Sequence, residues 1–308
     1  MVRSARAAKA AKAAKTAATK AATKSRPAAA AKVVAAAAAA TSGSENLKNA
    51  FPPMLHTSIA PHTLIVGTLP SDNSIENKGY FYTNENAFWH IAGDALGFRR
   101  GFHLKERTDA VDSIRPHLLH EEELDYDAAM DRLLSRGYAI WDVINSAERK
   151  GSLDSAIKMD TAIYSDIPLL LRNNPGIERI CFATGSGSAD IFRKKWKDWL
   201  TTDGLFRVAA DEASQKVFGK AVARTVGGAE RGVELCVMES VSPAYVPRQS
   251  CKPEAQRKRG FDDQWARQPT SVYKWKRAQW FETCYHREPT PAKMLASAGG
   301  VWKAELLR

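Results

Sequence analysis

The chain has 308 residues and a formal net charge of +11. Its first fifty residues hold ten basic residues and one acid, Glu45, so this segment carries +9 of that charge and the rest of the chain is nearly neutral. The charge therefore does not indicate a wholly basic, nucleic-acid-binding body. No run approaches the ~20 strongly apolar residues of a membrane span, which predicts no membrane contact. The four cysteines have no paired spacing, which argues against zinc and iron–sulfur motifs and predicts no metal.

The first segment of the chain, residues 1–44, consists mostly of alanine with spaced lysines and has no aromatic residue. Such a composition buries too little apolar area to offset the entropy of ordering, about 1–2 kcal/mol per residue. We therefore expect a disordered tail over 1–50, a folded domain over 51–290 and an extension over 291–308. The tail fits a DNA-binding nuclear arm, a solubilising extension or a mitochondrial targeting peptide. Its lysines and weakly apolar alanines modestly favour the nucleus.

Beyond the tail, apolar β-type runs alternate with amphipathic helices, and Gly or Pro residues separate them. In chain order the predicted elements are strand 63–68, helix 86–96, helix 126–135, strand 138–144, helix 167–173, strand 179–184, helix 189–200, strand 233–239 and a last helix through 275–281. This order predicts an α/β fold, a three-layer α/β/α sandwich around a mainly parallel central sheet. The segment 201–231 is less regular and is interpreted as an insertion of undefined conformation.

The first predicted strand opens onto a turn of five residues: Gly67, Thr68, Leu69, Pro70 and Ser71. Gly67 lets the backbone turn where a Cβ would obstruct, and Pro70 fixes the exit. The aromatic run of Tyr80, Phe81 and Tyr82 follows and offers flat faces on which a planar ring can stack. Because working residues gather at the carboxyl ends of parallel strands, the pattern predicts a base-sized pocket at this sheet edge.

Several segments resemble a known family in the same order: 67–71, the Asn-x-Phe-Trp helix start at 86–89, 140–143, 148–154, and Ser-Val-Ser-Pro-Ala at 240–244. The resemblance is to the uracil-DNA glycosylase superfamily, nearest its hypoxanthine (deoxyinosine)-DNA glycosylase branch. It implies a monofunctional glycosylase of base excision repair that flips a deaminated base, hypoxanthine or uracil, out of double-stranded or single-stranded DNA. Water is then the nucleophile, no cofactor is needed, and the protein is expected to act as a monomer.

Two residues are candidates for the catalytic group. The turn after the first strand offers no carboxylate or amide, and the resemblance then implies that Asn86 orients the attacking water. The alternative is that Asn86 caps the helix beginning beside it. Asp142, at the end of a predicted strand, either accepts a hydrogen bond from a purine and orders the site or is a capping aspartate. Ser152 and Asp154 match the family and are assigned to the wall of the site.

The base-binding residues are expected to be the turn 67–71 with Phe81 and Tyr82 as a stacking platform, one aromatic of the run remaining in the core. The DNA-binding residues are expected to follow the last strand: Ser240, Ser242, Pro243, Ala244, Tyr245, Arg248 and Lys252. Relatives commonly have Asn at the position of Tyr245 and Arg at the position of Ala87. These two departures leave open a rival function, a noncatalytic chromatin- or DNA-binding protein that keeps the glycosylase-like fold.

Overall fold

The structure is a computed structural model that describes residues 46–83, 85–102, 109–196, 206–209, 215–224, 230–242 and 269–289. Its strands are β1 Leu47–Asn49, β2 Thr63–Gly67, β3 Arg99–Arg100, β4 Glu123–Leu124, β5 Tyr138–Asp142, β6 Ile144–Glu148, β7 Ile163–Tyr164, β8 Arg179–Phe182, β9 Phe206–Ala209, β10 Gln215–Arg224 and β11 Glu230–Val237. Its α-helices are α1 Asp72–Glu76, α2 Phe88–Leu96, α3 Asp109–Ile114, α4 Tyr126–Ser135, α5 Ile167–Asn173, α6 Asp190–Lys195 and α7 Pro269–Thr283. The predicted tail 1–44 and extension 291–308 lie outside the described residues.

The central sheet has six strands in the order β5-β2-β8-β11-β10-β9. The first four run parallel, with β2 between β5 and β8, while β10 and β9 add to the edge in antiparallel pairing. In the β2–β5 register, Gly67 is the partner of Asp142. The carboxyl ends of the four parallel strands therefore meet at one edge, where the site residues were expected.

Alternate residues of the strands feed two separate hydrophobic cores, one on each face of the sheet. Ile65 faces the core that also contains Trp89 of α2 and Trp280 of α7. Its neighbours in β2, Leu64 and Val66, face the second core, which the helices α5 and α6 help to close. Helices thus cover both faces of a mainly parallel sheet, and the predicted three-layer α/β/α sandwich is confirmed.

The strand predicted over 138–144 is in fact two strands in different sheets. β5 ends at Asp142, and β6 enters an antiparallel sheet of its own with β1 and β7. The break lies where the backbone pairs with the turn after β2. Val143 N–H donates to the Gly67 carbonyl, and Ile144 N–H donates to the Thr68 carbonyl. Val143 and Ile144 are both buried, so the run of apolar residues continues across the break. The sequence pattern therefore does not show that β5 ends there.

Two further expectations about element boundaries are corrected. β1 pairs with β6 at Leu47–Asn49, so the folded part begins within the segment predicted as a tail over 1–50. The segment 201–231 contributes β9, β10 and the start of β11, which extend the central sheet. Helix 126–135 and helix 167–173 have the predicted bounds. Within the described residues, no helix combines the length and apolarity that crossing a membrane requires.

Candidate functional site

A cavity of about 570 Å³ opens at the carboxyl edge of the parallel strands. Its walls come from the residues after β2, the last residue of β5, the residues after β8 and the segment 237–242 after β11. The loops around Phe81, Asn86 and 152–154 complete the lining. All five turn residues predicted from the sequence, 67–71, lie on this lining.

Gly67 and Asp142 form the floor of the cavity as register partners on β2 and β5. A Cβ at Gly67 would overlap the Asp142 Oδ1 atom and lie 3.5 Å from the Phe81 Cζ atom. The absence of that Cβ is therefore what allows the carboxyl group and the aromatic ring to approach the strand end together. Asp142 is only 3% exposed, and its Oδ2 atom has no hydrogen-bond partner among the described residues.

Burial is the main reason why the pKa of Asp142 rises to about 8, and the nearby Asp154 charge raises it further. The Arg149 guanidinium acts in the opposite direction but does not outweigh these two effects. Near neutral pH this carboxyl group is therefore mostly protonated. A neutral carboxylic acid has one hydroxyl donor to offer to whatever enters the cavity.

Asp154 lines the cavity from the loop after β6 and is held by hydroxyl groups. Its Oδ2 atom accepts a hydrogen bond of 2.8 Å from Thr68 Oγ1, which lies 3.3 Å from Thr184 Oγ1. Burial raises the pKa of Asp154, while the Thr68 hydrogen bond and the Arg149 charge lower it. A Cβ on Gly187 would overlap these oxygens, so the Gly-Ser turn at 185–188 serves close packing against Asp154.

Arg149, to which the sequence analysis assigned no specific role, fixes the turn after β2. The side chain is 1% exposed and donates to the carbonyl oxygens of Leu69, Pro70 and Gly151. A fully buried arginine satisfied by three carbonyl groups holds the turn after β2 and the loop after β6 in one relative position. Its place in the segment 148–154, which resembles the family, is the sequence signal that could have pointed to it.

The aromatic run divides between the cavity and the core. Phe81 lines the cavity with a backbone φ of 53°, and its ring packs 4.4 Å from that of Phe88. A bulky residue in the left-handed region carries strain, which other contacts must maintain. Tyr82 instead packs against the rings of Phe102 and Tyr126, so the structure does not bring it to the described cavity lining, where the stacking platform was expected. Side chains of successive residues point apart, which explains the division.

Asn86 lies on the cavity lining two residues before α2. The helix predicted to begin at Asn86 begins at Phe88, and its cap residue is Ala87, which makes no side-chain cap bond. The Asn86 Oδ1 atom accepts a hydrogen bond of 2.9 Å from the Phe88 N–H group, so Asn86 satisfies the first N–H of the helix from the position before the cap residue. Arg100 steadies the same loop by donating to the carbonyl oxygens of Tyr82 and Thr83 at 2.7 and 2.8 Å. The side chain that supports the helix start thus also borders the cavity.

The segment after β11 is held from two sides. Ala87 N–H donates to the Val241 carbonyl, and Lys276 Nζ of α7 donates to the Ser242 carbonyl at 3.0 Å. Trp280 Nε1 donates to the Glu239 carbonyl at 2.9 Å. These contacts bring Ser240 and Ser242, two of the residues predicted to bind DNA, to the cavity lining.

Five other residues of that prediction lie outside the described residues: Pro243, Ala244, Tyr245, Arg248 and Lys252. Among the described residues, no group of three or more His, Cys, Asp or Glu side chains could hold a metal ion. The described cavity therefore offers a ring-sized aromatic wall, the carboxyl groups of Asp142, Asp154 and Glu239, and several hydroxyl groups.

Comparisons with known proteins find relatives for part of the chain, although no family model matches. The hypoxanthine DNA glycosylase of Methanosarcina acetivorans is 27% identical over 136 residues, which is 44% of this chain and 70% of the relative. The hypoxanthine DNA glycosylase of Methanosarcina barkeri is 27% identical over 111 residues, 36% of this chain and 56% of the relative. These relatives confirm the resemblance to the hypoxanthine branch of the uracil-DNA glycosylase superfamily.

Solved structures also include a match. The solution NMR structure of a candidate uracil DNA glycosylase from Methanosarcina acetivorans is 26% identical to this chain. The match covers 49% of this chain and 78% of that one, with a TM-score of 0.35.

Proposed function

We propose that this chain, a relative of the hypoxanthine DNA glycosylases in the uracil-DNA glycosylase superfamily, hydrolyses the N-glycosidic bond of a deaminated base in DNA. Hypoxanthine is the first expected substrate and uracil the second, and the product is an abasic site. The observation that carries the proposal is the cavity at the sheet edge, where the Phe81 ring and the buried Asp142 carboxyl group border a space of about 570 Å³. That volume falls in the range of small-molecule sites.

The chemistry of base release makes three demands that this cavity can meet. The base has to leave the stack and rest on a flat apolar surface, which Phe81 provides. Its polar edge needs hydrogen-bonding groups, and Asp142 and Thr68 line the cavity beside that ring. The departing base develops negative charge, which preorganised donors stabilise.

Asn86 is proposed to orient the water that attacks the sugar. A carbonyl oxygen has two lone pairs, so Oδ1 can accept a bond from water while it accepts the Phe88 N–H group. The cap then fixes the direction of the amide. Capping and water positioning are in this way compatible roles of one side chain, and the resemblance supports the second.

The proposal is tested with duplexes that carry a single inosine, uracil or xanthine and are cleaved with alkali after incubation. We expect strand breaks at inosine and fewer at uracil. Binding without strand breaks on all three duplexes would overturn the proposal and favour a noncatalytic DNA-binding protein. Single-stranded oligonucleotides with the same lesions show whether base release needs a duplex.

The role of Asn86 needs a variant that keeps the helix cap. Asn86→Ser retains a capping oxygen but removes the amide, so its stability should stay close to wild type. We expect Asn86→Ser and Asn86→Ala to lower single-turnover base release by at least about a hundredfold. Asn145→Ala, which removes an exposed asparagine of β6, is the matched control and should keep full activity. If Asn86→Ser releases the base at the wild-type rate, Asn86 does not position the water.

A further inference from the structure

We propose that Asp142 acts as a neutral carboxylic acid that protonates the departing base, while Asp154 remains a carboxylate in the same cavity. This inference rests on the glycosylase function proposed above and assigns its proton donor. The two carboxyl groups are brought together from different elements, Asp142 from the end of β5 and Asp154 from the loop after β6.

The surroundings of Asp142 favour the protonated form. Its side chain is 3% exposed, and Oδ2 has no hydrogen-bond partner among the described residues. A buried carboxylate without donors loses its hydration and gains nothing in return, whereas the neutral acid loses little. The described wall next to Asp142 consists of the apolar ring of Phe81 and the backbone of Gly67, which has no side chain. Because Asp142 also lines the cavity, the hydroxyl of its acid form can be offered to an acceptor there, such as a ring nitrogen of a purine.

Burial raises the pKa of Asp154, and two neighbouring groups that favour the carboxylate oppose that rise. Thr68 donates a hydrogen bond of 2.8 Å to Oδ2, and the Arg149 charge lowers the pKa of this carboxyl group. When the environments of two carboxyl groups give them different pKa values, one group can act as the acid and the other as the anion. The Asp154 charge also raises the pKa of Asp142, so the anion favours the acid form of its neighbour.

Other charged and titratable groups near Asp142 come from three neighbouring elements. Tyr80, in the loop before α2, interacts electrostatically with Asp142 and has a pKa raised by its own burial. Arg149 favours the charged form of Asp142 but donates its hydrogen bonds to backbone carbonyl groups. Glu239 lines the cavity from the side of β11. Of the two carboxyl groups Asp142 and Glu239, it is Asp142 that has a buried oxygen without a hydrogen-bond partner in the described part.

The proposed step conserves atoms and charge. The bond between C1′ and the base nitrogen breaks, and its electron pair goes to the base. The proton of Asp142 moves to a nitrogen of the hypoxanthine ring, so the base leaves as a neutral molecule. Water adds its oxygen to C1′ and releases one proton to solvent, and Asp142 takes up a proton from solvent to complete the cycle. The Asp154 carboxylate stabilises the positive charge that develops on the sugar.

The decisive measurement is the pH dependence of single-turnover base release from an inosine duplex. Wild-type release should stay level up to about pH 8 and then fall about tenfold per pH unit, because the acid form disappears. Asp142→Asn should be at least about a hundredfold slower at pH 7 and should lack the alkaline fall. Asp154→Asn should keep the alkaline fall but shift it to lower pH, since the charge that raises the pKa of Asp142 is gone.

A second readout does not depend on activity. Infrared difference spectra across pH 6 to 10 should show the carbonyl band of a protonated carboxylic acid that disappears near pH 8 in wild type and is missing in Asp142→Asn. Wild-type release that is level to pH 10, or full activity of Asp142→Asn, would overturn the acid assignment alone. Absence of base release by wild type at every pH would instead defeat the proposed function. A band that persists in Asp142→Asn would also contradict the assignment.

Discussion

Two walls of the cavity each carry a carboxyl group, and the neighbours of the two carboxyl groups differ. The Asp142 wall consists of Gly67, Phe81 and the buried Asp142, and one oxygen of its carboxyl group has no partner in the described part. The Asp154 wall consists of Thr68, Thr184 and the half-buried Asp154, with Arg149 and Gly187 behind it, and it supplies a hydroxyl donor and a positive charge. Polar groups that satisfy a carboxylate keep it charged, and their absence leaves a neutral acid. The same residue type therefore obtains two chemical roles from its neighbours.

The largest effect on base release should come from a side chain added at Gly67, against the Asp142 carboxyl group. Gly67→Ala places a Cβ on the Asp142 Oδ1 atom and close to the Phe81 ring, so the acid has to move. A displacement of about 1 Å in a catalytic group costs about a hundredfold in rate, and we expect at least that loss of base release. Gly232→Ala in β11 is the matched control, because among the described residues no atom beyond its chain neighbours lies within 4 Å of the added Cβ. Equal activity of both variants would contradict the close approach at Gly67.

The next effect concerns stability rather than rate. The pKa of Asp142 is raised in the folded state from 3.8 to about 8, so the folded protein binds more protons than the unfolded chain between these pH values. Stability from this group is therefore complete below about pH 4 and falls as the pH rises to about 8. Asp142→Asn removes that loss and should gain at least about 1 kcal/mol of unfolding free energy at pH 8.

Urea unfolding at pH 5 and pH 8 checks this expectation. The wild type should lose more stability between the two pH values than Asp142→Asn does. Asp131→Asn on α4, which changes an exposed carboxyl group, should follow the wild type. A variant at position 142 that is destabilised at pH 8 would show that the wild-type carboxyl group is charged and satisfied.

The Asp142 wall was largely predictable from the sequence. A buried strand, a glycine turn and a strand-end aspartate all follow from local patterns, because the register of parallel strands brings their carboxyl ends together. Phe81 was expected to border the base and lies on the lining. Tyr82 was expected beside it but packs against Phe102 and Tyr126, since the sequence does not show which of two adjacent rings turns away.

The Asp154 wall could not be predicted in the same way. The Thr68–Asp154 hydrogen bond joins residues 86 positions apart, and no local pattern encodes such a pairing. Arg149 looked like an ordinary charged residue, and only the folded chain shows its carbonyl partners in the turn after β2. The antiparallel addition of β9 and β10 escaped notice because its alternation of polar and apolar residues is irregular. Long-range polar contacts are thus the part of the site that sequence patterns miss.

A smaller effect should separate the two adjacent aromatic residues. Phe81→Ala removes the ring on the cavity lining, and loss of one base–aromatic stack costs about 1–3 kcal/mol. We expect base release to fall by about ten- to a hundredfold, measured under single-turnover conditions. Tyr82→Phe, which preserves the packing against Phe102 and Tyr126, should leave base release unchanged. A larger loss from Tyr82→Phe than from Phe81→Ala would reverse the assignment of the platform.

The smallest expected effect tests the Asp154 wall through a single hydroxyl group. Thr68→Val keeps the shape of the side chain but removes the donor to Asp154 Oδ2, so the pKa of Asp154 should rise. The acid limb of base release should then move to higher pH, with a loss of about 1 kcal/mol in transition-state stabilisation. Thr68→Ser retains the hydroxyl and should keep the wild-type profile. If the profiles of Thr68→Ser and Thr68→Val shift equally, loss of the hydroxyl group is not the cause of the shift, and the contrast between the two walls loses its chemical basis.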